Sequence, residues 1–491
     1  MMTLSALLPN QAMPPALAAV AISGLTLDSR KVAAGDAFFA LPGEHFDGRQ
    51  YIDQALAAGA EVVIAEADGL TTTTDRLIAV PNLAAQLGDL AARFYGSQQA
   101  RVRLLGVTGT NGKTSVAWFL RDAFNALGEP CALIGTLGMC FASIRVDVGR
   151  TTPDVLSLHR TLADFRQQGA AACAMEVSSH ALDQGRVDGL PIEVAIFTNL
   201  SRDHLDYHGN MASYFAAKAR LFARAEVKLA VVNQDDAHGR QLLAQLPAAM
   251  QRVSYGHERG AQVRPLRLVF AADGLQLTLG VGSEQLDCQL PLYGDFNVSN
   301  VMAVVAVLHG LGYDVLAIGR ALAALTPVPG RMEPVPSAKG PRVLVDYAHT
   351  PDGLEKALTA VREHFAGRLW CVIGCGGNRD AGKRPQMAAI AERLADCVVL
   401  TSDNPRDEEP AEILAQMAAG LARPHDALQI IDRAQAVAAT IAQAAADDLV
   451  LIAGKGHEDY QEVHGQKLPM DDRKLARAAL AGWQAGGGAC V

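Results

Sequence analysis

Along much of the chain, short runs of consecutive apolar residues alternate with polar loops and helical repeats. This pattern is the one expected of strands buried on both faces of a parallel sheet. In "RVRLLGVTGTNGKTSVAWFLRDAFNALG", residues 101–128, an apolar strand leads through a Gly-rich turn into an amphipathic helix that ends near Gly128. Further strands are predicted at "AACAMEV" (171–177), "VAIFTNL" (194–200) and "KLAVVN" (228–233), each followed by polar loop and helical material. Residues 1 to about 92 mix runs such as "AEVVIAEA" with turns such as "LPGEHFDGR", as in a small α/β domain. Near residue 326, "TPVPGRMEPVP" places four prolines and a glycine in eleven residues, a candidate boundary. Beyond it, "RVLVDYA", "RLWCVIGCGG", "CVVLTSDNP" and "DLVLIAGKG" alternate with helical stretches such as "KRPQMAAIAERLA". The expected fold is α/β in three domains: a small N-terminal domain over 1–92, a central parallel sheet with a P-loop over 93–330, and a Rossmann-like domain over 331–491. In such sheets, ligands sit in loops after the strand carboxyl ends.

Composition narrows the function classes. With 50% hydrophobic and 19% charged residues among 491, the chain is an ordinary globular protein, not a fibrous or disordered one. A formal net charge of −9 argues against general nucleic-acid binding, so anionic ligands must be held by local cationic loops. The eight cysteines form no Cys-x-x-Cys pair, which suits a reducing compartment. Residues 1–27 carry no charge, but Pro9, Pro14 and Pro15 interrupt them and no basic segment precedes them. A cytoplasmic protein without membrane insertion is expected.

The turn "VTGTNGKT" (107–114) ends in the Gly-Lys-Thr used by phosphate-binding loops. There, backbone N–H groups and a helix N-terminus hold phosphate oxygens, the Lys neutralises them, and the Thr hydroxyl reaches Mg²⁺. The strict spacing requires Gly at 107 and Val107 stands there, with Gly106 and Gly109 nearby. Its position between strand and helix nevertheless points to ATP. Two more predicted strands end in metal-competent groups: Glu176 in "MEVSSHALDQGRV" and His204 in "TNLSRDHLDYHG". A lone loop His is usually only solvated, but three such loops converge on one sheet edge.

At "GTNGKT", "TTPD", "MEVSSHALDQGRV", "NLSRDHLDYHG" and "YFAAKARLF", and later at "DYAHTPDGLEKAL", "GCGGNRDAGKRP", "SDNPR" and "AGKGHE", the chain resembles the Mur ligases, ATP-dependent amide-forming enzymes of peptidoglycan synthesis. "LDSRKVAAGDAFFALPGEHFDGR" (27–49) resembles the N-terminal domain of the tripeptide-forming members, so the likeness covers nearly the whole chain. The resemblance implies that ATP phosphorylates the D-Glu γ-carboxylate of UDP-MurNAc-L-Ala-D-Glu and that an amine of meso-diaminopimelate attacks the acyl phosphate. It assigns ATP to Thr108, Gly109, Thr110, Asn111, Gly112, Lys113 and Thr114, and catalysis to Lys113, Lys218 and His204. Mg²⁺ is assigned to Thr114, Glu176, His204 and a carbamylated Lys218. A helix lysine is ordinarily a surface residue, so the role of Lys218 rests on the family. The uridine end falls to Leu27, Ser29, Glu44, His45 and Phe46, and the muramoyl-dipeptide to Thr151, Thr152, Ser178, Gln184 and Arg186. Each of the last five could alternatively cap a helix or turn, and "LDSRKV" could equally be an ordinary strand-to-turn segment. A monomer is expected.

Diaminopimelate differs from L-lysine by one carboxylate. In "SDNPR", Arg406 offers a planar fork to that group, Asp403 suits an ammonium, Asn404 serves either, and Pro405 stiffens the loop. The resemblance adds Arg379, Gly454 and Glu458 to this site. The alternatives are a lysine-adding ligase of the same family, a folylpolyglutamate synthase-like ligase, and a nucleotide-dependent switch without ligase activity.

Overall fold

The computed structural model describes residues 1–43, 46–97, 102–146 and 149–484. The chain forms two compact units, Met1–Ala261 with Ala306–Tyr313 and Gln262–Val305 with Asp314–Val491.

The first unit contains a two-stranded pair, Met2–Thr3 with Ala21–Ile22, and the strands of two larger sheets. Four parallel strands, Gly24–Thr26, Asp36–Ala40, Val62–Glu66 and Leu77–Val80, pair in that order. The helix Leu83–Tyr95 packs on them because Leu83, Leu87, Leu90 and Ala91 recur on one face and are buried with Phe39, Val62 and Ile64. A larger sheet runs Ile144–Val146, Gly138–Phe141, Cys131–Gly135, Ala172–Glu176, Arg103–Thr108, Ile192–Phe197, Leu229–Asn233 and Gln251–Tyr255. The last six of these pair in parallel. Their apolar runs are buried on both faces, as the near-continuous hydrophobic reading requires. Val107, in place of the glycine of the strict phosphate-loop spacing, is a fully buried strand residue. The turn therefore begins only at Gly109.

The second unit opens with an antiparallel meander, Val263–Ala271, Gly274–Val281 and Glu284–Leu290. Its main sheet has the order Glu333–Pro334, Arg342–Asp346, Leu449–Ala453, Leu369–Ile373, Cys397–Leu400 and Leu428–Gln429. All neighbours are parallel except the short first strand. The Pro-rich stretch read as a boundary thus supplies an edge strand, with Pro334 opposite Leu344. Proline is tolerated at an edge because the ladder there asks no N–H of it. No helix among the described residues is long and apolar enough to cross a membrane.

Candidate active site

In the first unit, the candidate groups gather at the carboxyl ends of the parallel strands. The strand Arg103–Thr108 passes through residues 109–112 into the helix Lys113–Ala126. Gly109 and Gly112 have φ of +151° and +84°. A Cβ at Gly109 would lie 1.9 Å from Thr198 Oγ1, so only glycine lets the loop pass this close. Lys113 Nζ donates to Gly109 O at 2.9 Å and to Thr110 O at 2.8 Å. Lys218 Nζ donates to the same Gly109 carbonyl at 2.9 Å. Two lysine amines thus converge on one oxygen, the second of them on a side chain with only 1% of its surface exposed. Burial first, and then the charge of Lys113, hold the Lys218 amine well below the usual lysine range. The amine also stands 4.5 Å from the Tyr214 ring.

Two loop N–H groups expected to face phosphate are already engaged. Thr110 N donates to Asn199 O at 2.8 Å, and Asn111 N to Asn199 Oδ1 at 2.9 Å. The N-terminus of the helix Lys113–Ala126 is the other feature here suited to an anion, since the first N–H groups of a helix lack intrahelical acceptors. Asn199 went unassigned in the sequence, although it follows a predicted strand directly. Glu176, 1% exposed, accepts from Thr114 Oγ1 at 3.0 Å, from Thr136 N at 2.8 Å and from Thr136 Oγ1 at 3.3 Å. A Cβ at Gly135 would meet Glu176 Oε1 at 2.3 Å, so Gly135 and Thr136 shape this carboxylate's seat.

His204 stands in a cluster of rings. Its φ is +51°, its imidazole stands 4.9 Å from that of His180 and 6.0 Å from the Tyr214 ring, and Asp203 lies 3.5 Å away. Among the described residues, no group of three or more His, Cys, Asp or Glu side chains converges as a metal cage. Burial, the first cause in each case, lowers the proton affinity of His180 and His208 below the ordinary value of 6.5. Depressed folded-state values mean the unfolded chain binds more protons, so this contribution is full above about pH 6.5 and is lost as pH falls below it. The melting temperature should drop between about pH 7.5 and pH 5.5, and His180→Asn should shrink that drop. An equal drop in the variant would count against the sign.

Thr152 organises the residues assigned to the dipeptide. Its hydroxyl donates to Glu176 O at 2.9 Å and accepts from Ser178 N at 3.1 Å, while Thr151 Oγ1 lies 3.3 Å from Thr136 Oγ1. Arg186 Nη1 donates to Thr152 O at 3.0 Å and Arg186 Nε to Gln184 Oε1 at 3.0 Å. Ser178 also caps the helix Ser179–Asp183. In the N-terminal sheet, Ser29 lies in a 3-10 turn after the strand Gly24–Thr26, with Leu27 packed on the core. Phe46 is 75% exposed in the loop after Asp36–Ala40, and Glu44 and His45 lie outside the described residues.

In the second unit, three loops after parallel strands meet. Asn404, 4% exposed, is fixed in its amide orientation: Oδ1 accepts from Lys455 Nζ at 3.0 Å and from Glu462 N at 2.9 Å, while Nδ2 donates to Glu458 Oε2 at 3.0 Å. Asp403 is 8% exposed, and a Cβ at Gly454, whose φ is +115°, would lie 2.8 Å from its Oδ2. Arg406 is held on two sides. Its Nε donates to Glu462 Oε2 at 3.0 Å and its Nη1 to Gly377 O at 2.8 Å, and its φ is +54°. Arg379 is exposed nearby on the "GCGG" loop. A fourth loop, at Asp346, Tyr347 and His349, ends an adjacent strand and went unassigned, although "DYAH" stands at a predicted strand end; Arg331 covers the Tyr347 ring at 4.6 Å.

A Cβ at Gly377 would lie 1.9 Å from Pro405 O. Since only backbone could yield, Gly377→Ala should cost about 1–3 kcal/mol, read as a lower denaturation midpoint. An unchanged midpoint would show that this loop contact is slack.

Three segments match family models: 21–95 the "Mur ligase family, catalytic domain", 107–308 the "Mur ligase middle domain", and 330–456 the "Mur ligase, glutamate ligase domain". A UDP-N-acetylmuramoyl-L-alanyl-D-glutamate–2,6-diaminopimelate ligase from Xanthomonas campestris pv. campestris (strain 8004) is 50% identical over 485 residues, 98% of this chain and 97% of its own length. The protein of the same name from Pseudomonas aeruginosa is 49% identical over 479 residues, covering 97% and 98%. A solved ligase of that name superposes with a TM-score of 0.74 at 36% identity, covering 98% of this chain and 99% of its own. A Mycobacterium tuberculosis folylpolyglutamate synthase complexed with ADP shares the fold at 22% identity and a TM-score of 0.61, covering 82% and 95%. With family models matched from residue 21 to residue 456 and relatives half identical along nearly the whole length, the chain belongs to the Mur ligase family.

Proposed function

We propose that the chain is an ATP-dependent ligase that joins meso-2,6-diaminopimelate to UDP-N-acetylmuramoyl-L-alanyl-D-glutamate in peptidoglycan synthesis. The observation that carries the reading is the near full-length identity to relatives named for this reaction, with "SDNPR" present at the candidate amino-acid site. The domain division 1–92, 93–330 and 331–491 belongs to the same proposal.

A carboxylate is a poor electrophile, and transfer of the ATP γ-phosphoryl group to it creates a leaving group. The carboxylate oxygen bonds to phosphorus as the bond to ADP breaks. The diaminopimelate amine then attacks the acyl carbon, phosphate departs, and the amine loses a proton. Lys113, at the head of the helix, stabilises charge on the transferring oxygens. Thr114 and Glu176 are hard oxygen donors 3.0 Å apart, which suits Mg²⁺ completed by water and phosphate oxygens. Bound there, Mg²⁺ would neutralise phosphate charge. The Lys218 amine, which burial makes easier to deprotonate, suits carbamylation, in which its neutral form adds to CO₂, loses a proton and becomes a carboxylate. His204, exposed beside Asp203, is the group proposed to accept the amine's proton. The exposed ring of Phe46 offers a stacking face to the uridine end, with Leu27 and Ser29 on the neighbouring loop and Glu44 and His45 completing the assignment. Thr151, Thr152, Ser178, Gln184 and Arg186 are proposed to hold the dipeptide, with Arg186 on its anionic group. Arg379, Asp403, Asn404, Pro405, Arg406, Gly454 and Glu458 are proposed to hold diaminopimelate.

Incubation with ATP, Mg²⁺, the UDP-dipeptide and diaminopimelate should give a product heavier by one diaminopimelyl residue in mass spectrometry. ATP turnover without such a product would favour the nucleotide-switch reading.

A further inference from the structure

The loop 402–406 is gripped by the hairpin formed by Tyr460–Val463 and Gln466–Pro469, a segment outside every assignment above. Gln461 Nε2 donates to Asp403 O at 2.6 Å and to Ser402 Oγ at 3.0 Å. Glu462 reaches both polar residues flanking Pro405. Its N–H donates to Asn404 Oδ1 at 2.9 Å, its carbonyl accepts from Arg406 N at 3.0 Å, and its carboxylate accepts from Arg406 Nε at 3.0 Å. His464 N completes the ladder, donating to Arg406 O at 2.9 Å.

These backbone bonds hold Arg406 in a left-handed conformation uncommon for residues with a side chain, so the hairpin determines where its side chain starts. The side-chain bond, with Gly377 O on Nη1, then fixes the guanidinium plane from two sides. A Cβ at Gly376 would come within 2.9 Å of Nη1, so the glycine pair leaves the room this pose needs. A guanidinium carries five N–H groups, and among the described residues these contacts engage two. Donors therefore remain for a ligand carboxylate, and the Glu462 carboxylate orients the fork without filling it.

We propose that Glu462 is a positioning residue for amino-acid selection: it aims the Arg406 guanidinium, through the carboxylate on Nε, so that the remaining donors meet the carboxylate that diaminopimelate has and lysine lacks. This rests on the diaminopimelate reading of the site. Because the backbone bonds do not depend on the side chain, substitution at 462 should keep the hairpin in place.

The test is steady-state kinetics of full-length Glu462→Ala, Glu462→Gln and Glu462→Asp with meso-diaminopimelate, alongside thermal melts. Glu462→Ala should raise the KM for diaminopimelate about 10–100-fold while leaving kcat at saturation within about twofold. Glu462→Gln, which keeps an acceptor for Nε without the charge, should recover part of the loss, and the KM for ATP should not move. An unchanged KM in Glu462→Ala would overturn the proposal, and so would a lower one, because a carboxylate that merely competes with the ligand would improve binding on removal. Parallel losses in kcat and melting temperature that Glu462→Gln does not relieve would reduce Glu462 to a structural brace and also overturn it. If the wild-type protein shows no diaminopimelate-dependent turnover, the functional reading itself fails, which is a distinguishable result.

Discussion

Replacing Lys218 by alanine should lower ligase turnover by about 10²–10³, the scale of removing one preorganised charge-stabilising group, and short carboxylic acids added to the variant should restore part of it. The residue is buried on the helix Met211–Ala219, against the Tyr214 ring and the Gly109 carbonyl. A buried lysine beside a second lysine gains nothing from staying charged. Its proposed value lies in an amine that burial makes easier to deprotonate and that, once neutral, can take up CO₂ and present a carboxylate beside the phosphate loop. Loss of that carboxylate should leave ATP affinity nearly intact, because Lys113 and the helix N-terminus remain. A binding titration with ATP and a turnover assay with increasing acetate would separate the two effects. No restoration at any concentration would remove the carbamate role and leave Lys218 as a cation that fixes the Gly109 carbonyl.

The second large effect is expected of Arg406→Ala. Removing the guanidinium deletes the fork for the ligand carboxylate and leaves Glu462 without its partner. Each charge-assisted hydrogen bond to the ligand carboxylate is worth about 1.5–3 kcal/mol, so losing a two-bond fork should cost roughly 10²–10⁴ in kcat/KM for diaminopimelate at about 1.4 kcal/mol per decade. Nucleotide affinity should not change, since every ATP group assigned here lies in residues 108–114. An equal loss of nucleotide affinity would mean that the loop supports the catalytic core and does not read the amino acid.

The parallel strands were legible because burial on both faces writes continuous apolar runs, as at 104–107 and at 194–197. The antiparallel meander was missed, although Leu275, Leu277, Leu279 and Val281 alternate with less buried residues as a half-buried strand requires. The Pro-rich segment at 326–336 reads as a break because proline punctuates most chains, but an edge position tolerates it.

Within the site, Lys113, Thr114, Glu176 and Arg406 could be named from motif chemistry, and the burial of Lys218 could not. Helical spacing alone leaves a lysine on a surface. The partners of these groups were invisible for a simple reason: Asn199 reaches residues 110 and 111 across the sheet edge, and Glu462 reaches Arg406 from 56 positions away. Such contacts depend on strand order, which no local pattern carries. Arg406 was legible as a planar fork for a carboxylate, but the contacts that aim it were not. The fold uses its Nε and Nη1 to hold its orientation, a step between carrying a charge and recognising a ligand.

Residues 402–406 are proposed to read the second carboxylate of the incoming amino acid. The most direct measurement is phosphate release by the purified protein with ATP, Mg²⁺ and UDP-MurNAc-L-Ala-D-Glu, comparing meso-diaminopimelate with L-lysine at equal concentration. Strong stimulation by diaminopimelate, with lysine near background, is the predicted result. Equal stimulation by the two amino acids would contradict it, leaving the ligase chemistry in place but removing Arg406 as the selector.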